Sequence, residues 1–293
     1  MTRSKRIKRR HVRKVFILWM KEMLFNTTVG IVLAATILLI WRVFNPAAPF
    51  SADAEAVAAL RMPPQAMSNL SALARWHDVP FDQVLAIYAV SNNFFPQGTV
   101  PVVELDVLKQ EYVKGLNRLR RKYAARDIRP YFELFHNLVR EIEHFPISAG
   151  YEYMFSDTWG QIRGTAILDR KNIRGRIPVL SMTKGEVHQA GWHPNSGYHV
   201  VILTESGSRI LYAHLDGLAN GVDTPGAYVE AGQKLGTMGN SGKASERPVH
   251  LHIGISPKVS FAQDFWINPY PFLRYIENLN ASMYNFPSYD HNN

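Results

Sequence analysis

Apolar and polar positions fall into three successive textures along the chain. Residues 23–41, MLFNTTVGIVLAATILLIW, form an uncharged run that is densest in apolar character from Val29. A helix of that length rises about 28 Å, close to the hydrocarbon thickness of a bilayer, so the run predicts a transmembrane helix. From 54 to about 145 the apolar spacing is helical. AMSNLSALARWHDV and FDQVLAIYAV each predict a helix. ELDVLKQEYVKGLNRLRRKYAA predicts a long one over 104–123, with Leu105, Leu108, Tyr112, Leu116 and Leu119 on one stripe. RPYFELFHNLVREIEHFP predicts another, opened by Pro130 and stopped by Pro146. After Ala149 the texture changes to short β-branched runs separated by glycine-containing turns: RIPVLSM, GEVHQAGW, YHVVILT, RILYAHL, KLGTMGN and VHLHIGIS. That pattern predicts an antiparallel β domain whose strands end near Pro257. GWHPNSGYH reads as a hairpin connection, and INPYPFLRYIENLNASMYNF as holding a short helix. The fold class is α+β. The expected segments are a basic lead (1–22), a transmembrane helix (23–41), a linker (42–53), a helical region (54–148), the β domain (149–275) and a C-terminal tail (276–293).

Charge sharpens the reading of the first segment. The formal net charge is +9, but it is concentrated at one end. Residues 1–21 hold nine Lys and Arg and no acid; removing those nine from the total of 33 leaves 24, equal to the 24 Asp and Glu. The rest of the chain is therefore neutral and has no electrostatic footprint for nucleic acid. Lys and Arg flanking an apolar span favour the cytoplasmic side. The expected topology is single-pass in the cell membrane, N-terminus cytoplasmic, with the C-terminal domains extracytoplasmic. A cleaved leader is the competing reading of the same run. The chain has no cysteine, which excludes disulfides, thiol catalysis and thiolate-bound zinc.

The candidate chemistry lies in RPVHLHIGIS. Side chains two apart on a strand share a face, so His250 and His252 point to the same side. LYAHLDG adds His214 near the end of another strand. Three histidines on two β segments raise the possibility of zinc chemistry, although a histidine pair on a strand is more often structural.

The stretch from DTWG (157–160) through GTAILDRKNIRGRIPVLSMTKGEVHQAGW, GYHVVI, YAHLDG, VEAGQKLGTMGNSG and PVHLHIGIS resembles the lysostaphin/LytM-type zinc metalloendopeptidases that cleave peptidoglycan. The resemblance covers about residues 155–275. It implies a β-sheet groove holding one zinc and water attack on a cross-bridge amide. It also implies zinc ligation by a His-x-x-x-Asp motif and by the second histidine of His-x-His. The corresponding stretch here is IRGTAI, which puts Ile162 and Ala166 at the first two ligand positions and leaves His252 as the sole retained one. His214 and His250 take the family's positions for transition-state stabilisation and proton handling. Asp169, His188, His193 and His199 are the residues that could substitute as ligands. Trp192, Tyr198 and Tyr212 are groove candidates. A shorter stretch, VPFDQVLAIYAVSNNFFP (79–96), is similar to a segment of lytic transglycosylases, with Ser91 where their catalytic glutamate stands. Without that carboxyl group it offers no general acid for glycosidic cleavage.

A catalytic zinc needs about three protein ligands and an open position. With one family ligand retained, the expected function is a membrane-anchored envelope protein with a LytM-type domain, catalytically degenerate. It would bind peptidoglycan or a partner protein as a regulator or scaffold of cell-wall remodelling, without a cofactor. The resemblance supplies degenerate domains that activate amidases and one that forms a channel with a partner. The alternative is an active zinc metalloendopeptidase cutting cross-bridges through a rearranged metal site.

Overall fold

The computed structural model of the chain describes residues 54–60, 62, 66–76, 78, 80–92, 125–260 and 262–284. The basic lead, the apolar run at 23–41, the linker and the stripe at 104–123 lie outside the described residues. All described residues belong to one unit, Phe50–Asn293. No helix among them is long and apolar enough to cross a membrane.

Helices come first: α1 (Ala54–Ala59), α2 (Ala66–Trp76), α3 (Phe81–Asn92) and α4 (Ala125–Glu141). Among the described residues nine strands follow: β1 (Tyr153–Phe155), β2 (Thr165–Asp169), β3 (Pro178–Leu180), β4 (Gly185–His193), β5 (Gly197–Leu203), β6 (Arg209–Leu218), β7 (Tyr228–Val229), β8 (Lys234–Met238) and β9 (His250–Ser256). A final helix, α5, spans Tyr270–Tyr284. The strands pair antiparallel in the order β1-β2-β9-β6-β5-β4-β7, with β8 joined to β6 and β3 to β8. The mainly antiparallel β region expected from the alternation is therefore present. GWHPNSGYH forms the β4–β5 connection, with Trp192 paired to Tyr198 and His193 to Gly197.

Two helix limits differ from expectation. α4 begins at Ala125, so Pro130 lies inside the helix rather than at its start. The helix stops at Glu141 rather than running to Pro146. There the backbone amides of Glu143 and His144 both donate to the Met182 carbonyl, and Ile147 bridges to Val179. The chain is thus drawn into extended pairing with the β region before proline could end a helix.

Strand alternation places one face of the sheet in the core. Along β2, Thr165, Ile167 and Asp169 are buried while Ala166 and Leu168 are half-buried. The inward row runs across the sheet as Thr165, Ile253, Tyr212 and Val200, all fully buried. The helices extend the same core: Phe135 of α4 lies 6.4 Å from Phe272 of α5, centroid to centroid. Polar contacts tie the layers where the backbone needs partners. The Glu141 carboxylate accepts from the amide and hydroxyl of Ser206 in the β5–β6 turn. The buried Asn268 donates its amide N–H to Ala58 and its side-chain N–H to Ala59 at the end of α1.

Candidate functional site

The site forms where β2, β9 and β6 run side by side. Ala166 is opposite His252, and His252 is opposite Ala213, so one row crosses the outward face as Ala166, His252, Ala213. Leu251 and Ile253 point into the core, which turns His250 and His252 outward together, as their spacing requires. His214 reaches the same place by another route. Its φ of +63° is rare for a residue with a Cβ, and it sits where the β6 register shifts against β5. Its ring centroid is 5.1 Å from that of His250 and 6.0 Å from that of His252. The three histidines singled out in the sequence thus form one cluster.

Two of the imidazoles are pinned by the main chain. His214 Nδ1 donates to the Ser241 carbonyl at 2.9 Å, and His250 Nδ1 to the Pro248 carbonyl at 2.7 Å. These bonds set the tautomer and leave Nε2 of each ring as an acceptor. The Arg163 backbone beside the His252 ring favours its proton. Gly164 packs against the same ring: a Cβ there would lie 2.5 Å from His252 Cε1 and 2.5 Å from the Ile253 carbonyl oxygen. With φ at +148°, this close approach requires glycine. Ser241 holds the far wall. Its Oγ donates to the Leu215 carbonyl and accepts from the Tyr198 amide, tying β5, β6 and the loop after β8 around His214.

Burial makes all three rings poor proton acceptors. It is the largest influence on His214, whose pKa is lowered despite the Ser241 carbonyl, with the charges of His250 and Arg247 adding to the fall. His250 is lowered by burial and by Arg247, against the Pro248 carbonyl. His252 falls to about 4, through burial first and the two neighbouring histidines second. At neutral pH the cluster is three uncharged imidazoles.

The other sequence candidates separate. Trp192 is 58% exposed and Tyr198 39% exposed, and they meet edge to face at 5.1 Å. Tyr212 is not a groove residue. It is fully buried in the inward row, and its hydroxyl accepts the Met182 amide at 2.6 Å. Asp169 points to the core face opposite Ala166. Its carboxylate takes the Arg176 guanidinium and the amides of Lys171 and Ile173. His188 is exposed. His193 and the buried His199 pair with each other at 6.2 Å. Ser91 lies in the last turn of α3. One residue unremarked in the sequence shapes the site: Ser241, through its bonds. The GNSG motif contained Ser241, but only the fold brings its hydroxyl to Leu215 and Tyr198.

The zinc implied by the resemblance would need donors at positions 162 and 166. Ala166, facing His252, has no donor atom, and neither has Ile162. Among the described residues no group of three or more His, Asp or Glu side chains is arranged to hold a metal ion.

Comparison with known proteins places this sheet, with its His-x-His strand and its Tyr-Ala-His strand. Residues 168–264 match the sequence profile of Peptidase family M23. The chain carries a peptidase family M23 domain of the LytM/lysostaphin type. An L-Ala--D-Glu endopeptidase of Bacillus subtilis is 34% identical over 143 residues, 45% of this chain and 43% of that protein. The chain thus spans less than half the length of this relative. The solved structure of a candidate glycyl-glycine endopeptidase lytM from Ruminococcus gnavus is 27% identical, with a TM-score of 0.50 over 79% of this chain and 89% of that one. That share exceeds what the β region alone provides, so the likeness extends beyond the β domain. The catalytic domain of lysostaphin from Staphylococcus simulans is 27% identical, with a TM-score of 0.33 over 44% of this chain and 92% of that one.

Proposed function

We propose that this chain is a membrane-anchored envelope protein whose M23-type domain binds peptidoglycan without cutting it. The observation that carries the reading is the Ala166–His252 pairing. At the position where the family resemblance puts a carboxylate ligand, a methyl group faces the one retained ligand. A lone imidazole does not hold a zinc ion, and without it the water attack of this family has no activated nucleophile. The pinned imidazoles and the exposed Trp192–Tyr198 pair remain as a preformed surface. The apolar run at 23–41 anchors the chain, with the basic lead on the cytoplasmic side.

Purified peptidoglycan sacculi test the reading directly. The full chain in detergent is expected to co-sediment with sacculi and to release no new amino groups over a prolonged incubation. Release of amines at a steady rate, abolished by His252→Ala, would establish the alternative of a zinc endopeptidase with a rearranged site. That alternative draws on the clustering of three imidazoles within 5.1 and 6.0 Å. Failure to co-sediment would redirect the search to a partner protein of the envelope.

A further inference from the structure

The outward face of β6 and β9 continues past the imidazole cluster. Ile210, Tyr212, Ile253 and Ile255 are fully buried, so alternation turns Arg209, Leu211 and Ala213 to the other side, together with their partners Ser256, Gly254 and His252. Trp266 lies across the middle of this face: a Cβ on Gly254 would come within 2.8 Å of Trp266 Cζ3 and 3.4 Å of Leu211 Cβ. Beyond Trp266 the face opens into a cavity of about 570 Å³. That volume falls within the roughly 300–1,000 Å³ of small-ligand sites. Ser256 in its wall stands about 13 Å along β9 from His252.

The polar lining comes from Arg209, Ser256, Lys258, Ser260, Gln263 and Asp264. The Arg209 guanidinium is fixed from three directions. Its Nη2 donates to the Ser256 hydroxyl at 3.1 Å and to the Asp264 carboxylate, and its Cζ stands 5.8 Å from the centre of the Trp266 ring. The Asp264 side chain is still 76% exposed, so its carboxylate keeps room to accept from a ligand. The Ser260 hydroxyl donates to Glu133 of α4 at 2.6 Å. The two cations of the lining, Arg209 and Lys258, are thus balanced by Asp264 and by Glu133 behind Ser260.

We infer that this cavity is a saccharide subsite, which holds a neutral N-acetylated amino sugar of the glycan strand. The inference deepens the peptidoglycan-binding reading and rests on it. Balanced charges give neither a free cation nor a free anion a net attraction. The lining instead offers fixed donors and acceptors close together: guanidinium N–H groups, carboxylate and hydroxyl oxygens, and the Gln263 amide, which does both. Sugar hydroxyls and acetamido groups also donate and accept, and match such a mixed wall. Arg209 is already held by Trp266, Ser256 and Asp264, so little side-chain freedom is left to lose on binding. A sugar seated here leaves about 13 Å to His252, the reach of about four extended residues of the stem peptide that branches from the glycan.

The test is calorimetric titration of the full chain with tri-N-acetylchitotriose, in a zwitterionic detergent that carries no sugar headgroup. Saturable binding that weakens at least tenfold in both Asp264→Asn and Gln263→Ala is expected. Asparagine tolerates the φ of +51° at position 264, and Gln263 is exposed; thermal unfolding of each variant checks that the fold is kept. Undiminished binding in either variant overturns the inference, because the sugar is then held elsewhere. No binding of the trisaccharide while sacculi are retained overturns the inference and leaves the reading of the domain in place. If sacculi are not retained either, both fall.

Discussion

At the scale of residues, the cluster is held by backbone carbonyls instead of charges, and this has a consequence for stability. The His252 pKa is about 4 in the folded chain, against an ordinary value near 6.5. As pH falls through 6.5 the unfolded chain takes up a proton that the folded chain refuses until about 4. The folded state therefore loses stability across that window, up to about 3 kcal/mol for this one ring. His214 and His250 are shifted in the same direction and add to the loss. Urea unfolding of the full chain at pH 7.5 and pH 4.5 should show a smaller loss for His252→Gln than for the parent. An identical loss in both would mean that the ring is not buried as described. The residue scale is also where the sequence misleads. Strict alternation would put Tyr212 and His214 on one face. The positive φ at His214 breaks the alternation, so Tyr212 goes to the core and His214 to the groove.

At the scale of elements, the β region was legible because period-two alternation reports a half-buried strand directly. His250 and His252 came with it, since their shared face follows from spacing alone. The limits of α4 were less legible. Pro130 and Pro146 are local signals, whereas the helix end is set by distant partners: the Met182 carbonyl, and Ser206 held by Glu141. Nor could spacing reveal the role of the Asn240–Pro248 loop, which depends on hydrogen bonds formed only after β8 and β9 are in place. The helices are an integral layer of the core. Phe135→Ala in α4 should therefore destabilise the whole unit by about 3–5 kcal/mol and shift a single unfolding transition. Loss of helical signal in a separate, earlier transition would show that α4 folds apart from the sheet.

At the scale of the whole molecule, a neutral folded part joined to a strongly basic end suits attachment to a membrane from one side only. The full chain should sediment with membranes and resist extraction by high salt and alkali, while a chain lacking residues 1–41 should be released. Extraction of the full chain by salt alone would reduce the basic lead to a surface contact and remove the anchor. On the proposed reading, Ile162 and Ala166 at the family's ligand positions leave the site without a metal, and the cluster of His214, His250 and His252 serves recognition.

Zinc titration of the full chain, with metal content measured after dialysis, tests that claim most directly. The double variant Ile162→His with Ala166→Asp, which restores the His-x-x-x-Asp motif, serves as the positive control. The account predicts no sub-micromolar zinc binding by the parent chain and about one zinc per chain for the double variant. One tightly bound zinc in the parent, lost in His252→Ala, would contradict it and show that other residues complete a metal site.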